Sequence, residues 1–165
     1  MRCGFAVFAL GSALGGACGY AVSPGAGARA IAVGKVSEPA IDVDAAAMVN
    51  AAVRHAIASN PSTRLVSGGA ADATLDIELV NSAAALAPLA DPNLRAAQYR
   101  VVVLVKGRLH DRSGKVIWES PVIVGEAPFL STPGQVEALD GARRRALSRA
   151  ADVAAERLVA SLTWH

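Results

Sequence analysis

The alternation of apolar and polar positions divides the chain into a short series of elements. Ala30 to Val36, AIAVGKV, alternates and predicts a first strand, which the Ser37 to Ile41 stretch breaks at Pro39. From Asp44 the spacing turns helical: Ala45, Val49, Ala52, Val53, Ala56 and Ile57 share one face, while Asn50, Arg54, His55 and Ser59 fall elsewhere. Asp42 or Asp44 can cap the start and Asn60-Pro61 ends the run, so a helix is predicted over about 44–59. A short extended piece at Arg64 to Val66 and a Gly68-Gly69 turn follow. Residues 72–82, DATLDIELVNS, then alternate cleanly, with Ala73, Leu75, Ile77 and Leu79 on one side and Thr74, Asp76 and Glu78 on the other. Residues 83–97 contain Pro88 and Pro92 and read as a loop, long for a compact domain and so a place to expect function.

The strongest strand signal is QYRVVVLVKGRLH, residues 98–110. Tyr99, Val101, Val103, Val105 and Leu109 line one face, and Arg100, Lys106, Arg108 and His110 flank Val102 and Leu104 on the other. Asp111-Arg112-Ser113-Gly114-Lys115 is a turn with a glycine available for positive φ, which predicts that Val116 to Val124 return as a hairpin partner. In that register Val116, Trp118, Val122 and Val124 point to the core and Glu119 to the charged side. Cross-strand pairing of Asp76, Glu78 and Glu119 with Arg100, Lys106 and Arg108 is the simplest use of that side. A long helix closes the chain over 133–162. Its apolar stripe comprises Val136, Leu139, Ala146, Leu147, Ala150, Val153, Ala154, Leu158 and Leu162, and Asp140 and Arg144 are placed as a favourable pair one turn apart. The order β-α-β-β-β-α predicts an α+β fold: a two-layer sandwich in which two helices cover one face of a four-stranded mixed sheet.

Composition narrows the function. With 165 residues, 53% of them hydrophobic, the chain has the apolar content for one packed domain. Only 4% are aromatic, which leaves the core to Val, Leu, Ile and Ala around Tyr99, Trp118, Phe129 and Trp164. Lys and Arg number 16 against 14 acidic residues and are dispersed, which gives nucleic-acid binding little support. The Arg143-Arg144-Arg145 run reads as a solvated helix face.

The N-terminal segment has the pattern of an export signal: Arg2, an apolar stretch from Cys3 to Leu14, and a small-residue zone at Gly15-Gly16-Ala17. It is too short for a mature transmembrane helix, and no longer apolar run follows. The two cysteines are Cys3, within this leader, and Cys18, at its end, so processing would leave at most one thiol and no internal disulfide. Cys18 is then either a small residue tolerated near a cleavage site or the lipid-bearing first residue of a bacterial lipoprotein. The latter reading takes Leu14 to Ala17 as a loose lipobox, with Leu14 one place further from the cysteine than usual. Several acyl chains hold a protein on a membrane stably where one does not. The organisation expected is a signal peptide at 1–17, a Pro- and Gly-containing tether at 18–30 and a single domain at 31–165.

Catalytic patterns are missing from the sequence. His55, His110 and His165 are scattered, no pair has metal-ligand spacing, and neither a nucleophile elbow nor a phosphate loop occurs. Asp76 and Glu78 share a strand face and make a conceivable acid-base pair for a hydrolase, but the wet face of any sheet carries such residues. No enzyme, cofactor or metal is expected.

The series of short motifs resembles the LptE family of lipopolysaccharide-assembly lipoproteins. It comprises Cys18-Gly19-Tyr20 after the leader, a tether, a strand and an Ala-rich helix, then Ala71-Asp72-x-x-Leu75 opening an alternating strand. Tyr99-Arg100-Val101 leads on to a hairpin strand with Lys115-Val116-Ile117-Trp118, and the closing helix ends in Leu162 to Trp164. The resemblance implies a non-enzymatic outer-membrane lipoprotein of a Gram-negative bacterium, anchored in the inner leaflet through acylated (for example palmitoylated) Cys18 and facing the periplasm. It also implies that the protein binds lipopolysaccharide and the LptD β-barrel translocon. Gly19 lacks the Asp that often retains lipoproteins at the inner membrane, in keeping with outer-membrane sorting. By charge placement, the candidates for contact with lipid phosphates are Arg95, Arg100, Lys106, Arg108, Arg112 and Lys115. The competing expectation is a periplasm-facing lipoprotein scaffold that binds another envelope protein, since fold alone does not set function.

Overall fold

The computed structural model describes residues 28–37, 43–90, 97–131 and 136–162. Cys18, Arg95, Trp164, His165, the leader and most of the tether lie outside these residues. The elements are β1 (Arg29–Ser37), α1 (Val43–Ser59), β2 (Thr63–Leu65), β3 (Ala73–Ala90), β4 (Ala97–Asp111), β5 (Val116–Glu119), β6 (Ile123–Ser131) and α2 (Val136–Ala160). They form one mixed sheet in the order β2-β1-β3-β4-β5, with β6 also paired to β4. β1 runs parallel to β2 and β3, and the remaining pairs are antiparallel.

Both helices cover one face of this sheet, the two-layer α+β arrangement expected from the alternation. The helical residues Ala45, Val49, Ala52, Val53, Ala56 and Ile57 are all buried, as are the inward residues Leu75, Ile77, Leu79, Val101, Val103, Val105 and Leu109. Phe129 closes one end of the core and stacks on Tyr99 with ring centroids 5.3 Å apart. The helices lie side by side and run the same way: Arg144 near the start of α2 reaches Asp44 at the start of α1 at 3.8 Å, and a groove lies between their C-terminal ends. Arg144 thus pairs between helices, with Asp44, and not with Asp140.

Three expectations about the sheet are corrected. It has six strands and not four, because Thr63–Leu65 adds a short parallel edge and the return after the turn is divided in two. The supposed loop at 83–97 is strand up to Ala90, since β3 continues past Ser82 against Tyr99 to Val103 of β4. Such pairing supplies backbone partners that an Ala-rich stretch lacks on its own. The segment 116–124 is interrupted at Ser120-Pro121-Val122, which leaves Val122 43% exposed and Val124 on the face away from the helices, opposite Leu104, while a register shift between Trp118 and Val116 puts Val116 opposite His110 and 45% exposed. Trp118 alone of the four keeps its inward placement, opposite Leu109 and packed on the core.

The interruption has a local cause. Ser120 is buried; its Oγ accepts a hydrogen bond from the Gly107 N–H at 2.8 Å and donates to the Pro121 carbonyl at 2.7 Å. The hydroxyl therefore takes over the ladder at the point where β5 leaves β4 and Pro121 has no N–H to offer. Gly107 itself is hemmed in, a Cβ there falling 3.0 Å from Leu158 and 3.2 Å from Trp118.

Candidate functional site

The sheet face away from the helices has no covering layer among the described residues. On β4 it presents Arg100, Val102, Leu104, Lys106, Arg108 and His110, because these alternate with the buried residues. Val124, Glu126, Pro128 and Leu130 of β6 flank them on one side, and Asp76 and Glu78 of β3 on the other. A β-bulge between Leu79 and Asn81 reverses the phase of β3, so Asn81 and Ala83 stand opposite Leu104 and Val102 on this same face. The result is a partly buried apolar band, Val102, Leu104 and Val124, with charged residues at both ends.

Most of the charges are already paired. Arg108 is held between Glu119 at 3.1 Å and Glu78 at 3.7 Å, the cross-strand pairing expected from the sequence. Arg100 pairs across the other edge with Glu126 at 3.1 Å. Half-exposed pairs of this kind contribute about 0.2–1 kcal/mol each and leave the guanidinium less available to a phosphate. Arg112 donates to Asp72 at 2.8 Å and to the Ala71 carbonyl at 3.1 Å. Among the described residues, Lys106 and Lys115 are the candidate cations whose side chains have no carboxylate partner. Lys106 stands opposite Glu78 in the ladder and beside the apolar band, whereas Lys115 projects from the β4–β5 turn.

The candidates do not converge on one pocket. Arg100 lies near the start of β4 and Arg112 in the turn after its end, with most of the strand's length between them. Arg100, Lys106 and Arg108 share the open face, Arg112 and Lys115 lie beyond its end, and Arg95 lies outside the described residues. Sequence spacing places these residues on one strand but is blind to the carboxylates that neighbouring strands bring beside them.

The carboxylates singled out for chemistry serve the fold. Asp76 accepts a hydrogen bond from the Lys35 N–H at 3.1 Å, where β1 is irregular, and lies 3.3 Å from His110. Its carboxylate occupies the space a side chain on Gly34 would need. Glu78 is turned to Arg108. The Ala71-Asp72-x-x-Leu75 motif likewise has a structural meaning. Ala71 and Leu75 are buried, and the Asp72 carboxylate ties the Ala30 N–H of β1, at 3.0 Å, to Arg112 after β4. The Ala30 N–H, with Arg112 beside it, draws the Asp72 pKa below its ordinary 3.8. Asp111 is lowered too, by the Ser113 hydroxyl and the Lys115 N–H, both of which its Oδ1 accepts in the turn around Gly114 (φ 83°).

Depressions elsewhere on the described surface include two larger ones. One, of about 520 Å³, lies at the sheet end by Gly68, Asp72, Thr74, His110 and Arg112; the other, of about 460 Å³, is the groove between the helix ends, lined by Ala52, His55, Ala56, Glu156 and Val159. No group of three or more His, Cys, Asp or Glu side chains among the described residues is arranged to hold a metal ion. No described helix is long and apolar enough to cross a membrane.

Residues 28–162 match the family model described as LptE, lipopolysaccharide-assembly. No curated protein matches the sequence. Among solved structures, the chain is similar to a protein from Xanthomonas campestris, with a TM-score of 0.56 and 14% identity over 80% of this chain and 85% of that one. It is also similar to a minor lipoprotein from Acinetobacter baumannii, with a TM-score of 0.52 and 12% identity over 80% and 91%. A protein from Chlamydia trachomatis gives 0.51 and 10% over 81% and 94%. At these identities the likeness establishes the fold.

Proposed function

This chain belongs to the LptE family of lipopolysaccharide-assembly lipoproteins, and from that premise we propose that its uncovered sheet face is where it meets lipopolysaccharide. Proteins of this family are non-catalytic, lipid-anchored in the outer membrane and turned to the periplasm, and so is this one. The observation that carries the proposal is the band of Val102, Leu104 and Val124 lying beside the ammonium of Lys106, which has no carboxylate partner among the described residues. An amphiphile with an anionic head needs both: an apolar surface for its chains, and a cation whose charge is not already spent. Lys106 is the anchoring cation, Arg100 and Arg108 are secondary ones that exchange a carboxylate for a phosphate, and Arg112 and Lys115 extend the path past the sheet end. An LptD-like β-barrel is the protein partner.

In the same reading Cys18 is the acylated first residue of the mature protein, with 1–17 removed and the stretch that follows it tethering the domain. The mass of the mature N-terminus tests this; an unmodified Cys18, or a start elsewhere, refutes it.

For the ligand, K106E and the K106E/R108E pair are expected to weaken binding of purified lipopolysaccharide to the full chain at least tenfold without altering its far-UV circular dichroism. R112E is expected to have a smaller effect on that binding. Unchanged affinity in K106E/R108E removes the site. For the partner, pull-down from outer-membrane extracts is expected to recover a large β-barrel. Recovery of a different envelope protein, with no barrel, supports the scaffold reading instead.

A further inference from the structure

β6 is a nine-residue strand whose one strand neighbour among the described residues is β4. In an antiparallel ladder, alternate residues turn their backbone groups to opposite sides, so Val124 and Pro128, four apart, share a phase. Each carbonyl accepts a hydrogen bond from helix α2: Arg157 Nη1 donates to Val124 at 2.6 Å and Arg149 Nη2 to Pro128 at 3.0 Å. The spacing is matched between the elements. Eight helical residues advance about 12 Å, and four strand residues about 14 Å, so two guanidinium groups on one side of α2 meet two carbonyls of β6. Pro128 also has no N–H, a gap that an edge strand tolerates and a central one does not. A strand approaching this edge therefore finds an acceptor already taken at Val124, and at Pro128 an acceptor taken and a donor missing.

We propose that Arg149 and Arg157 are latches that hold the β6 edge closed against strand addition by a second copy of this chain. A second copy is the occupant that matches, because every copy carries the same edge and two such edges pair antiparallel about a two-fold axis. The edge also ends in Leu130, 67% exposed and the most exposed large apolar side chain among the described residues. Anchoring to one membrane surface raises the local concentration at which copies meet.

The test is the mass of the full chain purified in detergent, measured by sedimentation over a concentration series for the wild type, R149Q/R157Q, and R149Q/R157Q/E126P. Glutamine keeps the helix propensity and removes the reach and the charge. Proline at 126, in phase with Pro128, removes one more N–H from the outer edge. The wild type is expected at single-chain mass throughout, the double variant at twice that mass at the upper concentrations, and the triple variant back at single-chain mass. A folded double variant that keeps single-chain mass overturns the proposal. So does association that E126P leaves unchanged, or a wild type that dimerises to the same degree. Should the double variant lose its circular dichroism signature, R157Q alone is read by the same criteria.

Discussion

Gly125 offers the sharpest probe of how the helices sit on the sheet. It faces inward on β6 opposite Val103, and a Cβ built on it runs into the Ala150 carbonyl oxygen and stands 2.8 Å from both the Ala154 Cβ and the Ala154 nitrogen. The obstacles are backbone and a methyl stub, so no side-chain rotation makes room; α2 has to move off β6 or the strand has to bend. Overpacking of a close-packed core costs about 1–3 kcal/mol, and a backbone obstacle places G125A at the upper end, about 2–3 kcal/mol. For a domain of this size 1 kcal/mol corresponds to about 4 °C in Tm, so G125A is expected to melt about 8–12 °C below the wild type. In urea, with a slope of about 2 kcal/mol per molar, its midpoint falls by about 1–1.5 M. The control is G114A, whose φ of 83° is unfavourable for alanine but whose Cβ meets nothing within 4 Å; it is expected to cost only about 1 kcal/mol. The double variant G125A/A154G relieves the methyl contact but not the carbonyl and regains less than half of the loss. A G125A chain within 0.5 kcal/mol of the wild type would show that α2 does not lie as close to β6 as described, and would also remove the basis for the arginine latches.

Other consequences follow from single contacts. S120A leaves the buried Gly107 N–H without its acceptor and is expected to destabilise by about 1–3 kcal/mol in urea unfolding, with faster exchange of that amide. L158A empties a fully buried site against Gly107 and is expected to cost about 3–5 kcal/mol by the same measurement. Acid titration reports Asp72 and Asp111. Their pKa values are lower folded than unfolded, so the folded state binds fewer protons, and their stabilisation is present above the ordinary value of 3.8 and lost as pH falls through the depressed ones. D72N is therefore expected to flatten the decline of Tm below about pH 4; an unchanged acid limb counts against this assignment.

The first helix was legible in the sequence because its burial is one-sided and periodic: all six residues of the predicted face are buried. The first strand and the inward residues of the long β4 were legible for the same reason, at period two. The Asp111 turn was readable too, since Gly114 supplies the positive φ and Asp111 the side-chain acceptor. Ala83 to Ala90 were not, because an Ala-rich run with Pro88 has no local preference for strand and acquires it only by pairing with β4. The chemistry of the open face divides in the same way. Alternation along residues 98–110 put Arg100, Lys106 and Arg108 on one side of a strand, but whether each charge is free depends on residues far away in sequence. Arg100 is neutralised by Glu126 of β6, Arg108 by Glu78 and Glu119 from two different strands, and Lys106 has no such partner among the described residues. That Arg149 and Arg157 meet two strand carbonyls follows only from the seating of α2 on Gly125. Local periodicity is written into neighbouring residues by the geometry of helix and strand, whereas strand neighbours, bulges and the partner of each charge are decided by contacts distant in sequence, which the packed structure alone brings together.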